Sequence, residues 1–207
     1  MKVPVFVLAI AGAALAYLLP WFWLRLAAAA GWRKVPHSRT VRIISGASVF
    51  VAFVVPLLLL TTGAAVRPVV ATCAAVFVIG VADDIHTLPR WFKLALFAVV
   101  AYWAYLLGIR IDIIKPPFVS SYADLGRFSA PVTVIWLLGV MWAIALSRRV
   151  PGLTPGLVTI IAVTFAAAAV IAPGSPAALT ARITLTLAGA ALGYLAYEFP
   201  PSRMTLG

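Results

Sequence analysis

Residues 153–172 read LTPGLVTIIAVTFAAAAVIA, twenty positions without a single Asp, Glu, Lys or Arg. A run of that length at 1.5 Å rise per residue matches the roughly 30 Å hydrocarbon core of a bilayer, so it reads as a membrane-spanning helix. Similar apolar stretches recur at about 3–30, 44–65, 68–82, 91–109, 129–147 and 177–197. The whole chain of 207 residues is 64% hydrophobic and 10% charged, which is about 132 apolar residues, enough for about six or seven spans with little left over. The expected fold is therefore an all-α polytopic membrane protein, a single integral membrane domain over 1–207 with about seven transmembrane helices. A soluble catalytic domain is excluded.

The chain is basic: sixteen Lys and Arg against five Asp and Glu give +11. In a soluble protein that balance points to nucleic acid, but here the charges flank apolar runs and encode orientation, so no nucleic-acid partner is expected. One face carries Arg33, Lys34, Arg39, Arg42, Arg90, Lys93, Arg148, Arg149 and Arg203, with Arg25 near a helix end; the other carries Lys2, Arg67, Arg110, Lys115, Arg127 and Arg182. The positive-inside rule puts the first face and the C-terminus in the cytoplasm and the N-terminus outside. Lys2 and the run from Val3 to Leu19 have the look of a signal peptide, but the apolar stretch continues through Pro20 to Ala30 without a clear cleavage site, so it reads as a first helix, tilted or kinked at Pro20. The third stretch is short for a span, as is common beside a site or a thinned region of bilayer.

Smaller features have modest readings. The segment Ile109 to Phe118 alternates and then breaks at Pro116-Pro117, which reads as a short outer hairpin between spans four and five. Gly189 and Gly193 form a small-xxx-small pair suited to close helix approach, chiefly within the chain. Cys73, alone in an apolar run, offers neither a disulfide nor a thiol metal site. His37 and His86 have no second ligand nearby in sequence and read as loop histidines.

The chemistry concentrates at Asp83-Asp84, the only adjacent carboxylates, at the end of the third span in Gly80-Val-Ala-Asp-Asp-Ile-His-Thr-Leu-Pro89. Two carboxylates at a membrane boundary repel one another and are costly to desolvate, so they require a cation, a metal ion or water. Lys93 opens the next helix, after a turn in which Thr87 is placed to cap and Pro89 to occupy the first turn. From spacing alone, a helix-end salt bridge to Lys93 or Arg90 and a phosphate or metal site both fit.

The stretch Gly80 to Leu94, with Asp-Asp, Leu88 and Lys93, resembles the Asp-Asp-x-x-x-Leu-x-x-x-x-Lys segment of the polyprenyl-phosphate sugar-1-phosphate transferases, the membrane family of the MraY and WecA type. Arg33-Lys34-Val35-Pro36-His37 through Phe50 is similar to that family's first cytoplasmic loop. Gly108 to Ile111 with Asp124 to Trp136 are similar to its outer hairpin and fifth span, and Tyr197-Glu198-Phe199-Pro200-Pro201-Ser202-Arg203 to its Tyr-Asn-Phe-Pro-Pro-Ala-Lys segment. The resemblance implies a reaction in which polyprenyl phosphate attacks a UDP-activated amino sugar phosphate, giving a lipid diphosphate sugar and UMP with Mg2+ neutralising the phosphate oxygens. It also implies that Asp83 and Asp84 are the catalytic pair and that Lys93 binds phosphate; the basic residues Lys34, Arg42, Arg148 and Arg149 are further phosphate-binding candidates on their charge.

Two departures weigh against that activity. Where the family carries Asn-x-x-Asn-x-x-Asp-Gly-x-Asp-Gly, this chain has Trp142, Ala145, Arg148 and Pro151 at the asparagines and aspartates, and a guanidinium cannot ligate a hard cation. The sequence also stops at Leu206-Gly207, where the family continues into further spans. The expected protein is a truncated, degenerate member, non-catalytic, with no cofactor or metal, that binds polyprenyl phosphate or anionic lipid or partners a membrane enzyme of lipid-linked glycan synthesis, as a homodimer or a heteromer. Its expected site is a bacterial-type cytoplasmic membrane. Arg148 either replaces the metal's charge beside Asp83 and Asp84 or anchors a helix end on anionic head groups. The alternative is an active minimal transferase whose Mg2+ is held by Asp83, Asp84 and substrate oxygens.

Overall fold

The computed structural model describes residues 5–29, 39–61, 65–86, 88–114, 123–147, 150, 152–171 and 175–198. Among them are seven helices: α1 Val5–Ala29, α2 Arg39–Leu60, α3 Val66–His86, α4 Arg90–Leu106, α5 Ser129–Ser147, α6 Leu153–Ile171 and α7 Ser175–Glu198. All but α4 are long and apolar enough to cross a membrane, and the chain is a multi-pass membrane protein. With 17 residues, α4 spans only about 26 Å.

Helix boundaries follow backbone hydrogen bonding, which runs past the point where hydropathy falls. Thus α3, expected to be short at 68–82, has 21 residues and carries Asp83, Asp84 and His86 in its last two turns, so no shortened span marks the site. Likewise α2 starts at Arg39 rather than residue 44 and stops at Leu60 rather than 65. Pro20 and Pro56 stand inside α1 and α2 without ending them, as neighbouring groups allow in spanning helices.

The helices fall into two compact units, 1–66 with 147–207, and 67–146. In the first, α7 packs on α1, α2 and α6, and α1 also on α2. Small residues set the α1–α7 distance: a Cβ on Gly189 would overlap the Ala9 carbonyl, and one on Gly193 the Ala13 carbonyl. The pair therefore serves contact within the chain. The Tyr197 hydroxyl donates to the Tyr17 carbonyl at 2.6 Å and the two rings lie 5.4 Å apart, which places α1 and α7 side by side in the same sense. Leu8, Ala16, Ala52, Leu57, Ala190 and Tyr194 are fully buried there.

In the second unit, Ile79 of α3 meets Phe97 and Val100 of α4, with Leu138, Met141, Trp142 and Ala145 of α5 against them. α4 ends with Ile109 N–H donating to the Ala104 carbonyl at 3.0 Å, the six-to-one bond of a Schellman turn. Two-residue strands β1 Ile113–Ile114 and β2 Ala123–Asp124 then pair antiparallel, Ile113 opposite Asp124. Ser129, at the start of α5, donates to the Ile111 carbonyl at 2.8 Å and to Asp112 Oδ1 at 2.9 Å, and Thr133 accepts from the Ile111 N–H at 2.9 Å. These bonds tie the connection to the helix.

Candidate functional site

The residues Asp83, Asp84 and Lys93 meet at the turn between α3 and α4. A helix C-terminus carries partial negative charge, so two carboxylates there are destabilised unless a cation is close. Lys93 supplies it: its ammonium forms an ion pair with Asp83 Oδ2. The other oxygen, Oδ1, accepts the Leu88 backbone N–H at 3.2 Å. One carboxylate thereby closes the turn, holding the backbone at its exit and the first turn of the helix that follows. Asp84 is half-buried beside it.

Lys93 reaches this position because it heads the inner stripe of α4, followed by Phe97, Val100, Ala101 and Ala104, all buried. The spacing of four, seven, eight and eleven residues keeps these on one helical face. Its ammonium lies 5.9 Å from the centre of the Phe97 ring, within cation–π range. The N-cap of α4 is Pro89, in extended backbone at φ −61° and ψ 145°, with no side-chain cap. Pro89 therefore precedes the first turn instead of occupying it, and Thr87 lies outside the described residues. The exposed His86 ends α3.

Beneath the ion pair the surroundings are apolar. Trp142 and Ala145, at the positions the resemblance assigns to asparagines, pack against the Ile79–Phe97–Val100 cluster. Of the further basic candidates, Arg42 is half-buried in α2 of the first unit, while Lys34, Arg148 and Arg149 lie outside the described residues. Among the described residues no group of three or more His, Cys, Asp or Glu side chains is placed to hold a metal ion. Magnesium demands near-octahedral oxygen donors, and Asp83 has both oxygens engaged by nitrogen donors.

A second polar node, in the first unit, is built on Glu198, which the sequence offers only as part of the Tyr197 to Arg203 segment. Glu198, 3% exposed at the end of α7, accepts the Gly152 N–H at 2.9 Å. Gly152 has φ +78°, left-handed backbone that glycine adopts without penalty, and it leads into α6. The Tyr194 hydroxyl neighbours Ser45 and Glu198. The bond from Gly152 to Glu198, 46 residues away, has no signal in the sequence.

Comparison with known proteins places these features. The family description "Glycosyl transferase family 4" matches residues 66–207. The chain is 29% identical over 177 residues to the Bacillus subtilis "Probable undecaprenyl-phosphate N-acetylglucosaminyl 1-phosphate transferase", covering 84% of this chain and 48% of that protein. It is 31% identical over 142 residues to the phospho-N-acetylmuramoyl-pentapeptide-transferases of two Clostridium botulinum strains, covering 63% of this chain and 42% of each. The chain spans about half the length of the curated relatives it matches.

Proposed function

The chain belongs to glycosyl transferase family 4, and from that membership we propose that it is a non-catalytic member, which binds polyprenyl phosphate and serves an active membrane enzyme of lipid-linked glycan synthesis as a partner. The observation that carries this reading is the occupancy of Asp83, with Lys93 on one oxygen and the Leu88 N–H on the other. That arrangement satisfies the carboxylate without a metal ion. The apolar packing of Trp142 and Ala145, where the resemblance expects polar side chains, supports it. No cofactor is required. The charge asymmetry supports a cytoplasmic membrane of bacterial type with the N-terminus outside.

Lipid phosphate binding would use Lys93. An ammonium has three donors, and one spent on Asp83 leaves two for phosphate oxygens. Asp83 orients the side chain in this account, as a positioning residue. The expected result is that the purified chain in mild detergent binds polyprenyl phosphate, that Lys93→Gln weakens binding by about tenfold, and that the Asp83→Asn, Asp84→Asn double variant still binds. Absence of binding in the unaltered protein, or its loss in the double variant, would overturn the proposal.

One observation favours a second reading, a minimal Mg2+-dependent transferase releasing UMP: adjacent carboxylates and a lysine share one turn at the end of a span. In that reading substrate oxygens complete the metal's shell and Lys93 moves from Asp83 to phosphate. Magnesium-dependent UMP release, abolished in Asp84→Asn, would select it.

A further inference from the structure

Arg182 lies five residues inside Ala177–Glu198, the part of α7 apolar and long enough to cross a membrane. An ionisable group at such a depth requires a counter-charge or acceptors. The Arg182 Nε atom is nevertheless buried and has no hydrogen-bond partner. Thr61, 4% exposed just past the end of α2, has a buried hydroxyl in the same condition. Both belong to the first unit.

The packing sets both residues toward the same end of that unit. A Cβ on Gly12 of α1 would lie 2.9 Å from the Thr186 carbonyl oxygen, 3.3 Å from the Ala190 nitrogen and 3.5 Å from the Ala52 carbonyl oxygen. That defines one level shared by α1, α2 and α7. Ser45 of α2 neighbours Tyr194 of α7, so the two helices run in opposite senses. From the shared level Thr61 lies about 13 Å along α2 and Arg182 about 9 Å along α7 in the same direction, a difference of less than one helical turn.

Among the described residues of the unit no carboxylate lies at this end. The four aspartates of the chain fall in the other unit, where Asp83 is engaged by Lys93 and Asp112 by Arg110. Glu198 is sixteen residues from Arg182, about 24 Å along α7, and it is bonded to Gly152. The described part of the unit thus offers Arg182 no counter-anion. At the boundary of a bilayer the abundant anion is lipid phosphate, whose oxygens match a guanidinium edge and a hydroxyl donor.

We infer that Arg182 and Thr61 form a seat for the phosphate of a membrane lipid, at the end of α7 remote from Glu198. The guanidinium Nε donates to one phosphate oxygen and the Thr61 hydroxyl to another. A lipid suits the place better than a free anion, because Arg182 lies within the apolar length of α7, where free phosphate would lose its hydration without acyl chains to hold it.

Native mass spectrometry of the whole chain, released from mixed micelles of phosphatidylglycerol and neutral detergent, tests this seat. One phosphatidylglycerol should be retained by the unaltered protein and by Arg182→Lys, with retention about tenfold lower in Arg182→Gln and a smaller loss in Thr61→Val. Added phosphatidylglycerol should raise the melting temperature of the unaltered protein and not that of Arg182→Gln, whose fold no longer carries the unpaired charge. Polyprenyl phosphate binding should survive in Arg182→Gln, which separates this seat from the one at Lys93. Equal lipid retention in Arg182→Gln overturns the inference. So does displacement by inorganic phosphate alone, which would assign the seat to a free anion, or a co-purifying membrane protein that Arg182→Gln releases with no lipid retained.

Discussion

At the scale of single residues the account turns on two carboxylates that close turns. Asp83 has an ammonium on one oxygen and a backbone N–H on the other, so removing the cation strands a charge at a helix C-terminus. Lys93→Met is expected to destabilise the protein by about 3 kcal/mol, and the Asp83→Asn, Lys93→Met double variant to recover most of it. Unfolding in denaturing detergent measures both; additive effects would show that the pair is not coupled. Glu198 performs the same office between α7 and α6, and Glu198→Ala should cost about 1–3 kcal/mol by leaving the half-buried Gly152 N–H unpaired. The motif made Asp83, Asp84 and Lys93 legible in the sequence. Glu198 was legible only as part of the Tyr197 to Arg203 segment and Arg182 only as a flanking charge, because the significance of each lies in three-dimensional surroundings, a distant Gly152 for one and a missing partner for the other.

At the scale of elements, helix contact depends on the side chains left out. The α1–α7 seam has no room for a methyl group at Gly189 or Gly193, whereas one at Gly139 on α5 meets nothing within 4 Å. Gly189→Ala is therefore expected to cost about 1–3 kcal/mol through overpacking, while Gly139→Ala stays within about 0.5 kcal/mol of the unaltered protein. Equal effects would contradict the seam. Hydropathy located every helix but misjudged some ends. It stopped α3 at Ala82 because Asp83 and Asp84 interrupt the apolar count, although their backbone continues the helix to His86. It began α2 at residue 44 for the same reason, since the polar turn from Arg39 is helical. Ser129 to Ser147 needed no correction, having no charged residue to end the run early.

At the scale of the molecule, family membership was readable from one spaced motif and the order of its neighbours, and the match over residues 66–207 agrees with it. Activity was not readable, because it depends on which oxygens face a metal and which are already engaged. The most direct test of a non-catalytic member is UMP release by the purified protein in lipid, with polyprenyl phosphate, magnesium and UDP-activated amino sugars, against Asp84→Asn as blank. The account predicts no release above that blank from protein that still binds polyprenyl phosphate. Release above it would contradict the account and show that Lys93 yields Asp83 to a metal during turnover.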